Sequence, residues 1–120
     1  MKVLVTDPIA DISVEILRQG AQVDIQLGPT AEQLRSIIGS YKALIVRSQT
    51  KVTSDIIDAA DNLLVIGRVG VGVDNIDVDA ATRRGILVVN SPEGNIVSTA
   101  EHTIAMLFLV MKMDVDMAQI

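Results

Sequence analysis

Cysteine and tryptophan are absent from this 120-residue chain, and tyrosine and phenylalanine occur once each. Without cysteine there is no disulfide framework, no thiolate nucleophile and no cysteine-based metal site, and the expected setting is a reducing cytoplasm. With only two aromatic rings the core must be aliphatic, and a site that stacks a flavin or nucleobase on aromatic side chains has almost nothing to use. Long apolar runs are also missing. The longest, residues 104–111, is less than half of the ~20 residues that a membrane span requires. The opening Met1-Lys2-Val3-Leu4-Val5 has neither the apolar core nor the cleavage site of a signal peptide. Positive charge is in deficit as well, with ten Lys and Arg against fifteen Asp and Glu for a net charge of −5. The basic residues are scattered, which argues against nucleic acid as a partner. Any anion must therefore be held by a local cluster. The single histidine has no companions at metal-ligand spacing.

What the chain does have is a soluble, globular composition, 49% hydrophobic and 21% charged, at a length that suits one domain. Short β-branched runs recur about every twenty residues, at residues 2–6, 23–27, 43–46, 63–66 and 86–89, with helical patterns between them, which reads as repeated βα units. Thr30 and Gln33 form a predicted capping box for the second helix, as Ser98 and Glu101 do for the last one. Gly20, Gly39 and Gly85 stand where three helices should stop. Four of the runs are continuously apolar, as for parallel strands covered on both faces, whereas Val23-Asp24-Ile25-Gln26-Leu27 alternates with period two and belongs at an edge. The predicted fold is α/β, a flavodoxin-like three-layer sandwich with a five-stranded parallel sheet in the order 2-1-3-4-5, which also satisfies the right-handed crossover rule.

In an open parallel sheet, ligands bind beyond the carboxyl ends of the strands. The loop Arg47-Ser48-Gln49-Thr50 offers a forked guanidinium, two hydroxyls and a nearby Lys51, the ingredients of an anion clamp. The alternative is a solvated loop in which Thr53 caps the next helix. Gly67-Arg68-Val69-Gly70-Val71-Gly72-Val73-Asp74 invites comparison with a dinucleotide fingerprint. It fails because it follows the fourth strand, Asn75 stands in place of the third glycine, and Asn90 ends the next strand where a ribose-binding acid should be. Two readings remain: a tight turn that needs glycine at positive φ, or a loop whose N–H groups bind a carboxylate or phosphate. Arg83 and Arg84 close a helix just before Gly85 and favour its dipole there. Glu101 and His102, adjacent on a helix, point about 100° apart and cannot form a dyad. Glu101 is the capping partner of Ser98, and His102 is expected to be a packing or interface residue.

Taken together, RSQT at 47–50, VIGRVGVGVDNIDVDAATRRGILVVNSPEGN at 65–95 and STAEHTIAM at 98–106 resemble the amino-terminal, substrate-binding domain of the D-2-hydroxyacid dehydrogenases. The resemblance reaches to about Leu109. It implies an enzyme of two doubly wound domains that moves a hydride between NAD and a small anionic 2-hydroxy or 2-oxo acid. It also implies that Arg47, Ser48, Gly70, Val71 and Gly72 help hold the acid, with Asn95 near the hinge. The catalytic arginine, glutamate and histidine, and the NAD itself, belong to the family's other domain, so no catalytic, cofactor-binding or metal-binding residue is expected in this chain. It is expected to be inactive alone.

The family pattern breaks after Phe108, where Val110-Met111-Lys112-Met113-Asp114-Val115-Asp116 lacks the usual proline and stays amphipathic. The expected organisation is a substrate-binding domain at 1–97 and a helix at 98–120, folded back as a fifth helix in a truncated or engineered stand-alone domain. If that helix projects instead, Ile104, Leu107, Phe108 and Met111 are expected to drive a homodimer. A competing expectation is a flavodoxin-like scaffold with no retained binding. Receiver and FMN-flavodoxin functions share the fold but lack their residues here: Asp7 stands without an acidic neighbour, and Arg47 and Asn90 replace the receiver's aspartate and lysine.

Overall fold

Five short strands alternate with four helices: β1 (Lys2–Val5), α1 (Asp11–Arg18), β2 (Gln22–Ile25), α2 (Ala31–Ile37), β3 (Ala43–Val46), α3 (Ser54–Ala59), β4 (Val65–Val69), α4 (Val78–Arg83) and β5 (Leu87–Ser91). The computed structural model describes residues 2–70 and 72–91. The expectations placed on Val71, Asn95, the Ser98–Glu101 capping box, His102 and the helix at 98–120, with its dimer contacts, lie outside the described residues. All strand pairs are parallel and the order is β2-β1-β3-β4-β5, as the run pattern predicts.

Local chemistry explains the helix limits. Thr30 accepts from the Gln33 N–H at 3.2 Å while the Gln33 side chain accepts from the Thr30 N–H at 2.9 Å, so the capping box satisfies two otherwise orphaned donors. α2 tightens into a single 3-10 turn, Ile38–Ser40, that contains Gly39, and Gly85 follows the end of α4. Thr53 does occupy the N-cap position of α3, yet its side chain makes no capping bond. Arg84 reaches from the end of α4 to the Asp58 carbonyl at 3.3 Å and to the Asp61 carboxylate at 3.6 Å. It therefore ties α4 to the end of α3.

Three strand readings need correction. β4 runs on to Val69 rather than ending at Ile66, because Gly67 and Arg68 pair on both sides, with Ile45 and Val46 of β3 and with Val89 and Asn90 of β5. Two ladders outweigh the poor strand preference of glycine. The apolar run of β5 suggested cover on both faces, but β5 is the second edge, and Leu87 is exposed while Val88 and Val89 are half-buried. In β2 only Val23 of the alternating set is buried, whereas Ile25 is 43% and Leu27 56% exposed. The strand stops at Ile25, opposite the last residue of β1, but the chain stays bonded beside it, with the Gln26 N–H donating to the Val5 carbonyl at 2.9 Å and the Gly28 N–H to the Thr6 carbonyl at 3.1 Å.

The sheet separates two aliphatic cores. Leu4, Leu44, Val46 and Ile66 face α2, α3 and α4, packed against Leu34, Ile38, Ile56, Ile57 and Ala81. Val3, Val5, Ala43, Ile45 and Val65 face the other way, toward Val14 and Leu17 of α1. Each fully buried Leu or Ile contributes about 1.5–3 kcal/mol, and successive residues of β1 and β3 feed opposite cores, as a pleated strand requires.

The only tyrosine is part of this packing. Tyr41 is buried, its hydroxyl donates to Asp24 at 2.7 Å, and the Lys2 ammonium stands 4.8 Å above its ring. Burial, together with the bond to Asp24 and the charge of that carboxylate, raises its pKa from 10.0 to about 12. The neutral phenol is favoured by folding, so its contribution to stability is complete below pH 10 and is lost as pH rises toward 12. With no tryptophan and no second tyrosine in the chain, tyrosinate absorbance reports this one group. The absorbance of the folded chain should rise with a midpoint near 12, that of the urea-unfolded chain near 10. Asp24→Asn should bring the folded midpoint down. Coincident folded and unfolded titrations would contradict the packing described.

Candidate functional site

Polar residues at the carboxyl ends of β1 and β3 meet Arg68 of β4 and Asn75 of the loop after it in one network. Thr6 and Asp7 follow β1 and are both buried. Asp7 Oδ2 accepts from the backbone N–H of Arg47 at 2.7 Å and of Thr50 at 3.0 Å, and its Oδ1 accepts from the Thr50 hydroxyl at 2.6 Å. A carboxylate can only accept, so Thr50 gives its one hydroxyl proton to Asp7. Thr6, whose hydroxyl lies 2.8 Å from that of Thr50, must therefore be the donor in their bond.

The same loop is held from its other side. The amide of Asn75 donates to the carbonyls of Arg47 at 2.6 Å and Thr50 at 2.8 Å, and its oxygen accepts from Arg68 Nε at 2.8 Å. Asp7 thus takes the loop's N–H groups and Asn75 takes its C=O groups. Backbone bonds from Val52 N–H to the Asn75 carbonyl and from Asp77 N–H to the Val52 carbonyl, both 2.9 Å, close the join between the two loops. Unpaired, these buried groups would each cost about 1–3 kcal/mol. Paired, they give a loop with a fixed shape.

Of the residues expected to bind an acid, Arg47 is half-buried and Ser48 exposed in the loop after β3, while Gly70 is buried and Gly72 exposed in the loop after β4. Because Val46 and Arg68 are register partners in adjacent strands, these two loops leave the sheet side by side. Gly70 has φ 142° and Gly72 φ 84°, conformations that side chains rarely adopt, so the tight-turn reading of the glycines is correct as far as the backbone goes. Thr50 does not belong to an anion clamp. Its hydroxyl points inward to Asp7 and Thr6, because those donors and acceptors would otherwise be buried without partners.

The described residues do not fit a dinucleotide. The turn after β4 does not open a helix; it passes through an isolated bridge between Val52 and Ile76 before α4 begins at Val78. Asn75, in the place of the third glycine, has its amide N–H groups on the Arg47 loop and its oxygen on Arg68. No group of three His, Cys, Asp or Glu able to hold a metal is found among the described residues, and none of their helices is long and apolar enough to cross a membrane.

Asp7, Asn75 and Arg68 were not foreseen as site residues. A signal for two of them exists: Arg68 interrupts a strand whose neighbours are all apolar or glycine, and Thr6-Asp7 ends an apolar strand with two polar residues that prove buried. Beside the network, a cleft of about 360 Å³ lies between the loops after β1, β2 and β3, bordered by Asp7, Pro29, Leu34, Gln49 and Lys51.

Comparison with known proteins gives a consistent family. Residues 3–119 match the family model of the D-isomer specific 2-hydroxyacid dehydrogenase, catalytic domain. The chain is 53% identical over 108 residues to the D-3-phosphoglycerate dehydrogenase of Archaeoglobus fulgidus, an alignment that covers 89% of this chain and 20% of that protein. It is 55% identical over 106 residues to the D-3-phosphoglycerate dehydrogenase of Synechocystis, covering 88% of this chain and 19% of the relative. Among solved structures, the NAD+-bound 3-phosphoglycerate dehydrogenase of Entamoeba histolytica superposes with a TM-score of 0.69 at 32% identity, over 77% of this chain and 33% of that one. A Thermus thermophilus protein superposes with a TM-score of 0.72 at 31% identity, over 99% of this chain and 39% of that one. The chain spans about a fifth of the length of the curated relatives it matches.

Removing the carboxylate at position 7 tests the network. Asp7→Ala should lower the free energy of unfolding in urea by about 2–4 kcal/mol, the sum of two or more unsatisfied buried donors, and should speed hydrogen exchange at the Arg47 and Thr50 amides. Asp7→Asn keeps an oxygen for the two N–H groups and needs the Thr50 and Thr6 hydroxyls to turn, Thr50 then donating to Thr6, so its cost should be about 1 kcal/mol. Equal losses for the two variants would contradict the bonding pattern.

Proposed function

This chain belongs to the D-isomer specific 2-hydroxyacid dehydrogenase family, and from that membership we propose that it forms the substrate-binding part of an NAD-dependent D-3-phosphoglycerate dehydrogenase. The reaction would be the oxidation of 3-phosphoglycerate to 3-phosphohydroxypyruvate, which leads toward serine. A reducing cytoplasm, suited to a chain without cysteine, is part of the same proposal. The observation that carries it is the pair of loops, Arg47-Ser48 and Gly70 to Gly72, leaving adjacent strands beside a polar network that fixes the first of them.

Bound NAD supplies the hydride chemistry, and the described residues, which do not fit it, are assigned no contact with it. Their work is binding and orientation. A guanidinium presents parallel N–H donors that match a carboxylate or phosphate edge to edge. Glycine-loop N–H groups add neutral donors that need no counterion. In a chain with a net charge of −5, long-range attraction does not bring in an anion, so capture relies on these close-range donors and on their being fixed in advance. A preformed loop loses little entropy when the acid binds, which leaves the binding energy for orientation.

Titration of the 120-residue chain with 3-phosphoglycerate, followed by amide chemical shifts, should move Arg47, Ser48, Gly70, Val71 and Gly72 at millimolar ligand. Arg47→Lys, which keeps the charge but loses the fork, should weaken binding roughly tenfold. No movement in any amide would instead favour a flavodoxin-like scaffold without binding. A second measurement bears on catalysis. The purified chain should not reduce 3-phosphohydroxypyruvate with NADH, because the family's acid and cofactor site are assigned to its other domain; measurable turnover would overturn that assignment.

A further inference from the structure

Arg68 is the one charged strand residue that is buried among the described residues. It sits at the fourth position of β4, between apolar Val65 and Ile66 on one side and Val69 on the other, and is only 6% exposed. Burying a guanidinium costs several kcal/mol unless its donors are well engaged. An aliphatic residue would fill a strand position with no such cost, so the site must use what only the planar fork provides. Two contacts show what that is.

Nε donates to the Asn75 oxygen at 2.8 Å, and the same Asn75 amide holds the carbonyls of Arg47 and Thr50. Nη1 lies under the first glycine of the next loop, so close that a Cβ added to Gly70 would stand 2.6 Å from it. The third nitrogen, Nη2, is 3.7 Å from the carboxylate of Asp74, whose side chain is 93% exposed. One rigid plane therefore touches Gly70 with one nitrogen and, through another, reaches the loop after β3. Lysine could not make both contacts, since its single ammonium has no fixed second arm.

We propose that Arg68 is a positioning residue that sets the Arg47 loop and the glycine loop relative to each other. It touches no substrate in this scheme; it acts through Asn75 on one loop and through contact under Gly70 on the other. Its consequence for ligand affinity rests on the anion-site reading above, whereas the coupling of the two loops does not.

The test perturbs one loop and observes the other. Gly70→Ala must displace the guanidinium, so amide shifts should change at Arg47 and Thr50, residues it does not touch. In an Arg68→Lys background the same Gly70→Ala change should leave those two amides still. Should the alanine at φ 142° prevent folding, Asn75→Asp runs the test in reverse, since it should shift Gly70 and Gly72 only when Arg68 is present. Transmission that survives in the Arg68→Lys chain, or is missing from the parent chain, overturns the proposal. Binding of 3-phosphoglycerate gives a separate readout. Arg68→Lys should raise its dissociation constant about tenfold, a usual coupling for residues in one network, with Arg47 itself unchanged. If the parent chain binds no 3-phosphoglycerate yet the shifts are transmitted as described, the anion-site reading fails and the positioning role stands. If the shifts are not transmitted and affinity is unchanged in Arg68→Lys while stability falls, Arg68 only packs, and the proposal fails.

Discussion

Backbone groups in the loop after β3 cannot be left unpaired where they lie, and the way they are paired shapes the rest of this face. Asp7 accepts from two N–H groups and a hydroxyl, while Asn75 donates to two carbonyls of the same short segment. One partner comes from the end of β1 and the other from beyond β4, so the segment is gripped across three strands. A loop bound only to solvent would sample many conformations. This one is held by side-chain bonds at Arg47 and Thr50 and by a single parallel bridge at Val52.

The arrangement works because the sheet brings the three strand ends level. Parallel register fixes Val5 opposite Ile45 and Val46 opposite Arg68, and the two aliphatic cores on either side hold those registers. A slip of one residue would exchange the cores and also move Asp7 out of reach of Arg47 and Thr50. Packing and polar bonding are thus not independent here. The cores set the register, and the register is what allows every buried polar side chain among the described residues to find a partner.

Much of the fold was legible in the chain because its signals are local. Continuous β-branched runs, the Thr30–Gln33 capping box and the placement of Gly85 each depend on a few adjacent residues, and together with the crossover rule they lead to the observed strand order. The errors fell where a neighbour overrides local preference. Gly67 and Arg68 look unlike strand residues, yet ladders on both sides extend β4 through them. Ile25 and Leu27 have the alternation of a half-buried strand, but at this edge of the sheet nothing covers them and both stay exposed. Thr50 has the side chain of a ligand-binding loop, but its hydroxyl is claimed from beneath by Asp7.

The sequence by itself determined the family and the architecture: the RSQT loop, the glycine-rich stretch after the fourth strand and the βα period point to one domain type of the 2-hydroxyacid dehydrogenases. It also argued against a dinucleotide cradle, since the glycines follow the wrong strand. What only the tertiary structure decided is which polar residues serve the site from inside. Asp7 and Thr50 are 43 positions apart, and Asn75 is 28 from the Arg47 carbonyl it holds. No window of sequence contains both members of either pair, and an Asp, an Asn or an Arg reads the same on paper whether it ends in water or in the core. Burial makes the difference, because a polar group removed from water must bond to whatever the fold has placed beside it.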